Sequence, residues 1–244
     1  MIPVIKAKYK VTRVFMAQEG YAALYAVRIT ERSKSEYLLN VYAGEVRYRY
    51  DEVFLGMDGC GAFVEMFIWE GALISVFRVE EGARFDDVFY KGAEVGWRDR
   101  LEYAGRLVDA ALPLALLPHE MACAAIMSFN LVVRQAERNV AVNYAAPPLD
   151  GASGRELLLL LGDQLYKILL PHARSAAAEL RFLERLGAGE FESMAKLYSA
   201  WLSARGEIEA EYEDFYSRSA VGRAAAVAKR RVKNLFSRKG RKPI

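Results

Sequence analysis

Few residues of this chain are spaced to do chemistry. The most suggestive stretch is "CAAIMSFNLVVRQAERNVAVNYA", from Cys123 to Ala145. It carries a loop, an asparagine (Asn130), an apolar run, a polar turn and a second apolar run that ends in Asn143-Tyr144-Ala145. That is the layout of a catalytic loop, yet almost nothing in it can react. The alanines at 124 and 125 neither accept a proton nor orient a hydroxyl. A neutral asparagine such as Asn143 is a weak ligand for a hard cation, which prefers carboxylate oxygens. His119 lies just after the Leu117-Pro118 helix stop and reads as an exposed or satisfied histidine rather than a base. Cys60 and Cys123 are far apart and lack metal-ligand spacing. They read as two buried thiols in a reducing compartment, without a disulfide. No metal and no cofactor is expected.

The elements that position this stretch follow from pattern and composition. The chain has 244 residues, 53% of them apolar and 27% charged. That is enough for a globular core in one domain or two small lobes. No apolar run approaches the roughly 18 residues that a membrane span needs. The start, "MIPVIKAKYK", lacks the apolar segment of a signal peptide. The net charge of +3 conceals an asymmetry: nine basic residues and no acidic one lie from Arg223 onward, which leaves −6 for residues 1–222. Basic tails of this kind meet polyanions or acidic surfaces.

The first third is rich in β-branched and aromatic residues and reads as strands: "YKVTRVFMA", "YAALYAVRIT" and "EYLLNVYA". Residues 45–57 fit a short helix. "AFVEMFIWEG" and "ALISVFRVEEG" form a hairpin that turns at Glu70-Gly71. "FRVEEGARFDDVF" crosses to the second half and starts a short helix. "WRDRLEYAGRLVDAALPLALLP" then puts Leu101, Ala104, Leu107, Val108 and Ala111 on one helical face and stops near Pro118. A small hairpin pairs Leu131 to Val133 with Val140 to Val142. Helices follow near residues 154–170, 173–187, 189–204 and 206–217. The expected divisions are a strand-rich lobe over 1–82, a helical lobe over 83–219 and a basic amphipathic tail over 220–244. The fold class is α+β with two lobes.

This order resembles the protein kinase fold: an antiparallel-sheet N-lobe and a mainly helical C-lobe. Three places carry the resemblance. In "YLLNVY", Asn40 stands where a kinase's third strand has the lysine that holds the α- and β-phosphates of ATP. In "CAAIMSFN", Cys123, Ala124 and Ala125 stand for His-Arg-Asp, and Asn130 alone matches the retained asparagine. In "NVAVNYA", Asn143 stands for the magnesium-binding aspartate of Asp-Phe-Gly, and Tyr144 suits the packing role of the phenylalanine. The glycine-rich loop is reduced to Gly20 in "MAQEGYAAL", and the activation segment is nearly absent. The resemblance is to a degenerate bacterial pseudokinase of the kind found in secretion or signalling assemblies.

Phosphoryl transfer rests on positioning and charge neutralisation. With lysine, base and aspartate all replaced, the resemblance implies no enzyme. It implies an inactive scaffold or protein-interaction module that does not bind ATP and Mg²⁺, takes no small-molecule substrate and sits in the cytoplasm. An atypical phosphotransferase or nucleotide-binding protein is the alternative, with Glu45, Asp51, Glu52, Asp109 or Glu120 as substitutes. A second alternative is an adaptor at the inner face of the membrane. Its contacts would be Arg230, Arg231, Lys233, Phe236, Arg238 and Lys239 of the tail, on an anionic surface or an acidic partner. Nucleic acid is disfavoured because only Phe236 could stack on a base. Tyr48 and Tyr50, with Arg47 and Arg49, are candidates for an exposed contact surface.

Overall fold

The computed structural model describes residues 4–30 and 35–228. Its N-lobe is one antiparallel sheet in the order β1-β2-β3-β4-β6-β5. The strands are β1 (Val4–Ile5), β2 (Tyr9–Gln18), β3 (Tyr21–Arg28), β4 (Glu36–Tyr42), β5 (Phe63–Trp69) and β6 (Ala72–Arg78). Helix α1 (Val46–Leu55) crosses beneath the sheet between β4 and β5. The β5–β6 hairpin turns through Glu70 (φ 49°) and Gly71 (φ 81°). Two positive φ values in succession match the twist of the flanking strands. The sheet curls until its ends meet: Glu65 of β5 pairs with Lys8 and Arg28 and accepts a hydrogen bond from Tyr9. Burial alone would raise the Glu65 carboxyl, but Lys8, Tyr9 and Arg28 hold it below the usual glutamate value.

The chain crosses between lobes through β7 (Ala83–Arg84), which pairs with β8 (Leu131–Arg134), itself paired with β9 (Asn139–Val142). Gly82 is required at this crossing, because a Cβ there would stand 2.9 Å from the Val133 carbonyl oxygen. The C-lobe holds α2 (Phe85–Val88), α3 (Trp97–Ala111), α4 (His119–Ala125), α5 (Gly154–Leu169), α6 (Ala177–Gly187) and α7 (Met194–Ser217). A further helical stretch, α8, covers residues 220–228. Ser153 caps α5 by accepting from the Glu156 amide. One apolar cluster runs from the sheet through α1, α3 and α5 to α7, and a second covers part of the outer sheet face.

Three details depart from expectation. The segments 189–204 and 206–217 are one helix: α7 passes through Gly206, carried by the buried face of Trp201, Ile208, Tyr212 and Phe215. A lone glycine costs a helix about 1 kcal/mol, which packing of that face outweighs. α6 starts at Ala177 rather than near 173, because Leu170 (φ 48°) ends α5 in the left-handed region and Ser175 ties back to the His172 amide. α3 ends at Ala111, and a 3-10 turn (Pro113–Leu116) follows before Pro118. The strands β1 and β7, two residues each, have no pattern long enough to announce them.

Candidate functional site

The three asparagines singled out above all lie between the lobes, and all are buried. Asn40 points from β4 into the interface. Its Oδ1 accepts from the Tyr21 hydroxyl (2.7 Å) and the Ala146 amide (2.9 Å). Its Nδ2 donates to the Tyr144 carbonyl (2.9 Å) and Ser75 Oγ (3.4 Å). An amide side chain has two donor and two acceptor positions, so nothing of Asn40 remains for a ligand.

Asn130 braces the loop. Its Nδ2 donates to the carbonyls of Ala124 (2.7 Å) and Ala145 (2.8 Å), and its Oδ1 accepts from the Ala145 amide (2.9 Å). Its own carbonyl accepts from the Asn143 amide (2.7 Å). Ala125 is fully buried at the end of α4, and a short turn at 126–127 leads into a 3-10 turn over Ser128–Asn130. Asn143 reads the crossing chain as a second strand would. Its Oδ1 accepts from the Glu80 amide (2.8 Å) and its Nδ2 donates to the Glu80 carbonyl (3.2 Å).

The segment after β9 therefore runs as a strap under the N-lobe. Asn40 holds it at Tyr144 and Ala146. The Tyr42 hydroxyl donates to the Ala146 carbonyl (2.8 Å) and the Tyr50 hydroxyl to the Pro147 carbonyl (3.2 Å). Arg49 reaches the Leu149 carbonyl, Asp150 (3.2 Å) and Glu120 (3.4 Å). Burial pushes the Tyr21 and Tyr42 hydroxyls far above their ordinary value and Tyr50 up to about 12. All three stay protonated and remain donors. Rings fill the space beside the strap: Tyr42 stacks on Tyr50 (centroids 4.2 Å apart) and Tyr144 on Phe77 (5.2 Å). The Gly20 carbonyl accepts from the Ala43 amide (2.9 Å), which seats the β2–β3 turn at the start of α1.

No family model matches the chain, and no curated protein matches it in sequence. Solved structures do. The kinase domain of Mycobacterium tuberculosis PknI superposes with TM-score 0.55 over 83% of this chain and 98% of that one, at 13% identity. Rad53 1–466, solved in complex with AMP-PNP, superposes with TM-score 0.59 over 80% of this chain and 65% of that one, at 12% identity. The fold is that of a protein kinase. It is bilobal α+β, and the likeness at these identities is one of fold alone.

Asn40 and Asn130 are linked through the strap, Asn143 holds the crossing chain, and Ala125 lies buried at the end of α4, next to the Ala124 carbonyl that Asn130 holds. The substitute acids do not join them. Asp51, Glu52 and Asp109 are exposed on helix surfaces, Glu45 is exposed in the turn before α1, and Glu120 pairs with Arg49. His119 is exposed at the start of α4. Cys60 and Cys123 are buried free thiols. Among the described residues no cluster of metal-ligating side chains occurs, and no helix is long and apolar enough to cross a membrane. Arg230, Arg231, Lys233, Phe236, Arg238 and Lys239 lie outside the described residues.

One expectation is corrected. Tyr48 is exposed, but Tyr50 is fully buried. Residues two apart on a helix point about 200° away from each other, so they cannot share a contact face. The residues that sequence reasoning missed are the partners of the asparagines, namely Tyr21, Ser75 and the Glu80 main chain, and Tyr42, which with Tyr50 holds the strap. The surplus of 14 tyrosines was the available signal, since a buried tyrosine needs a hydrogen-bond partner.

Proposed function

We propose that this chain is a catalytically inactive, kinase-like scaffold whose interlobe cleft holds its own strap instead of ATP and Mg²⁺. One observation carries this reading: every hydrogen-bonding position of Asn40 is spent within the protein, two of them on the strap. A nucleotide phosphate there would have to displace Tyr144 and Ala146 and would meet no cation in return. Ala125 and Asn143 supply neither a base nor a carboxylate ligand. The rival reading, an atypical phosphotransferase, is weakened because Glu45, Asp51, Glu52 and Asp109 are exposed and Glu120 pairs with Arg49. A scaffold acts through protein partners, in keeping with a cytoplasmic protein, and the basic tail offers an anionic membrane as a second contact.

The test is a thermal shift with ATP, ADP and GTP, each with and without Mg²⁺. A ligand raises stability by RT ln(1 + [L]/Kd), so a true binder must register at millimolar nucleotide. The expected result is no shift under any condition. A Mg²⁺-dependent shift, or transferred phosphate lost in Asn130→Ala, would overturn the reading.

A further inference from the structure

The C-terminal end of α1 and the turn that follows α3 lie side by side. A Cβ on Gly56 would stand 2.9 Å from the Pro118 side chain, and Arg49 of α1 pairs with Glu120 (3.4 Å). Large apolar side chains stand in water on both segments. Leu55, the last residue of α1, is 68% exposed, and Leu116, the last residue of the 3-10 turn, is 85% exposed. Leu112, just before that turn, is exposed as well. Single exposed apolar residues are ordinary on a protein surface, whereas a group of them marks an interaction site.

The charge at this junction has one sign. Asp51 and Glu52 stand at i−4 and i−3 from Leu55, which sets them on its side of α1. Asp58 follows Gly56 by two residues, and Asp109 stands three before Leu112. All four acids are exposed, and none has an ion pair among the described residues. No lysine or arginine occurs in residues 50–77 or 107–133. The nearest bases along the two helices are engaged: Arg106 with Glu102 (3.1 Å), Arg49 with Glu120 and Asp150, and Arg47 with the Gly71 carbonyl (2.8 Å). This placement runs against the helix dipole, since the carbonyl end of a helix favours cations and disfavours carboxylates. Yet α1 and α3 carry Glu52 and Asp109 in their last turns and no base there.

We propose that this junction is a docking surface for a basic amphipathic helix of a partner protein, whose apolar stripe covers Leu55 and Leu116 and whose cationic flanks meet Asp51, Glu52, Asp58 and Asp109. Charge complementarity selects this occupant. The four acids repel an anionic bilayer or a nucleic acid, and a purely apolar partner leaves them unanswered. A cationic helix offsets them and both helix carbonyl ends together. Flanking charges also fix register and raise the encounter rate. The inference names a partner face for the scaffold reading, but it stands on observations separate from the closed cleft.

The experiment uses the full chain and a labelled synthetic helix with leucines at i, i+3, i+4 and i+7 and lysines on both flanks. A matched peptide with glutamate flanks is the comparison arm. Fluorescence anisotropy is expected to show binding of the lysine peptide only, weakening with added salt. The double variant Asp51→Lys/Glu52→Lys should weaken it at least about tenfold, or 1.4 kcal/mol. Leu55→Ser/Leu116→Ser should do the same with the unfolding temperature unchanged, because both side chains already stand in water. Val14→Ser, at a similarly exposed apolar residue of β2, should leave binding intact. Equal binding of both peptides, no binding of either, indifference to the charge reversal, or an equal loss in Val14→Ser would each overturn the proposal. So would self-association of the full chain that the charge reversal abolishes, which would assign the surface to a second copy. None of these outcomes bears on the nucleotide shift.

Discussion

At the scale of single residues, Asn40 is the position to probe. A lysine there would match the phosphate-binding position of a kinase's third strand. In this structure Asn40→Lys removes both acceptor interactions, strands the Tyr21 hydroxyl and the Ala146 amide, and buries an ammonium without a counter-ion. The expected cost is on the order of 3–5 kcal/mol, with no gain of nucleotide binding. Urea unfolding measures the first and the thermal shift the second. A variant as stable as the parent would contradict the bonding described for Asn40. Glu179 gives a second prediction. It is buried against Tyr212, which donates to its Oε2 (2.7 Å). Burial raises its carboxyl above the usual value, against the opposing pull of Ser175, Tyr212 and Arg100. A raised acid favours the folded state while protonated, and that contribution fades as pH climbs from the ordinary glutamate range through the raised value. Glu179→Gln keeps an acceptor for Tyr212 and cannot ionise. Its stability relative to the parent should therefore improve between pH 4.5 and pH 8, read as the gap between urea midpoints. A gap that narrows would count against the assignment. The sequence made the asparagines legible as substituted positions. It did not reveal what they do, because their partners lie up to 106 residues away along the chain.

At the scale of elements, most of the fold could be read directly. Runs of β-branched and aromatic residues marked β2, β3 and β4, the Glu70-Gly71 turn marked the β5–β6 hairpin, and the apolar face of α3 marked that helix. The misses have separate causes: β1 and β7 are too short to leave a pattern, the left-handed Leu170 delays α6, and packing overrides a local signal in α7. Gly206 looked like a break between two helices, yet α7 continues through it because its buried face spans the position. This yields a direct test. A Cβ at Gly206 would meet nothing within 4 Å. Gly206→Ala should therefore stabilise the protein by about 0.5–1 kcal/mol, seen as a higher denaturation midpoint. A loss of stability would mean that the helix does not run straight through. Gly82 is the contrasting case, since a methyl group there runs into the Val133 carbonyl.

At the scale of the whole molecule, the two lobes share one apolar cluster and are tied by the strap, by Asn143 to Glu80 and by Arg49 to Glu120. Hinged lobes with an open cleft between them can melt separately. Here calorimetry should give one transition with equal calorimetric and van't Hoff enthalpies. Two resolved transitions would show that the strap does not couple the lobes. The bonding of Asn40 has a consequence on the evolutionary timescale as well. For sequence change, this bonding acts as a ratchet. Any single step toward a charged cleft is penalised at once in stability. Its benefit waits on Ala125 and Asn143 changing too and on the strap finding another path.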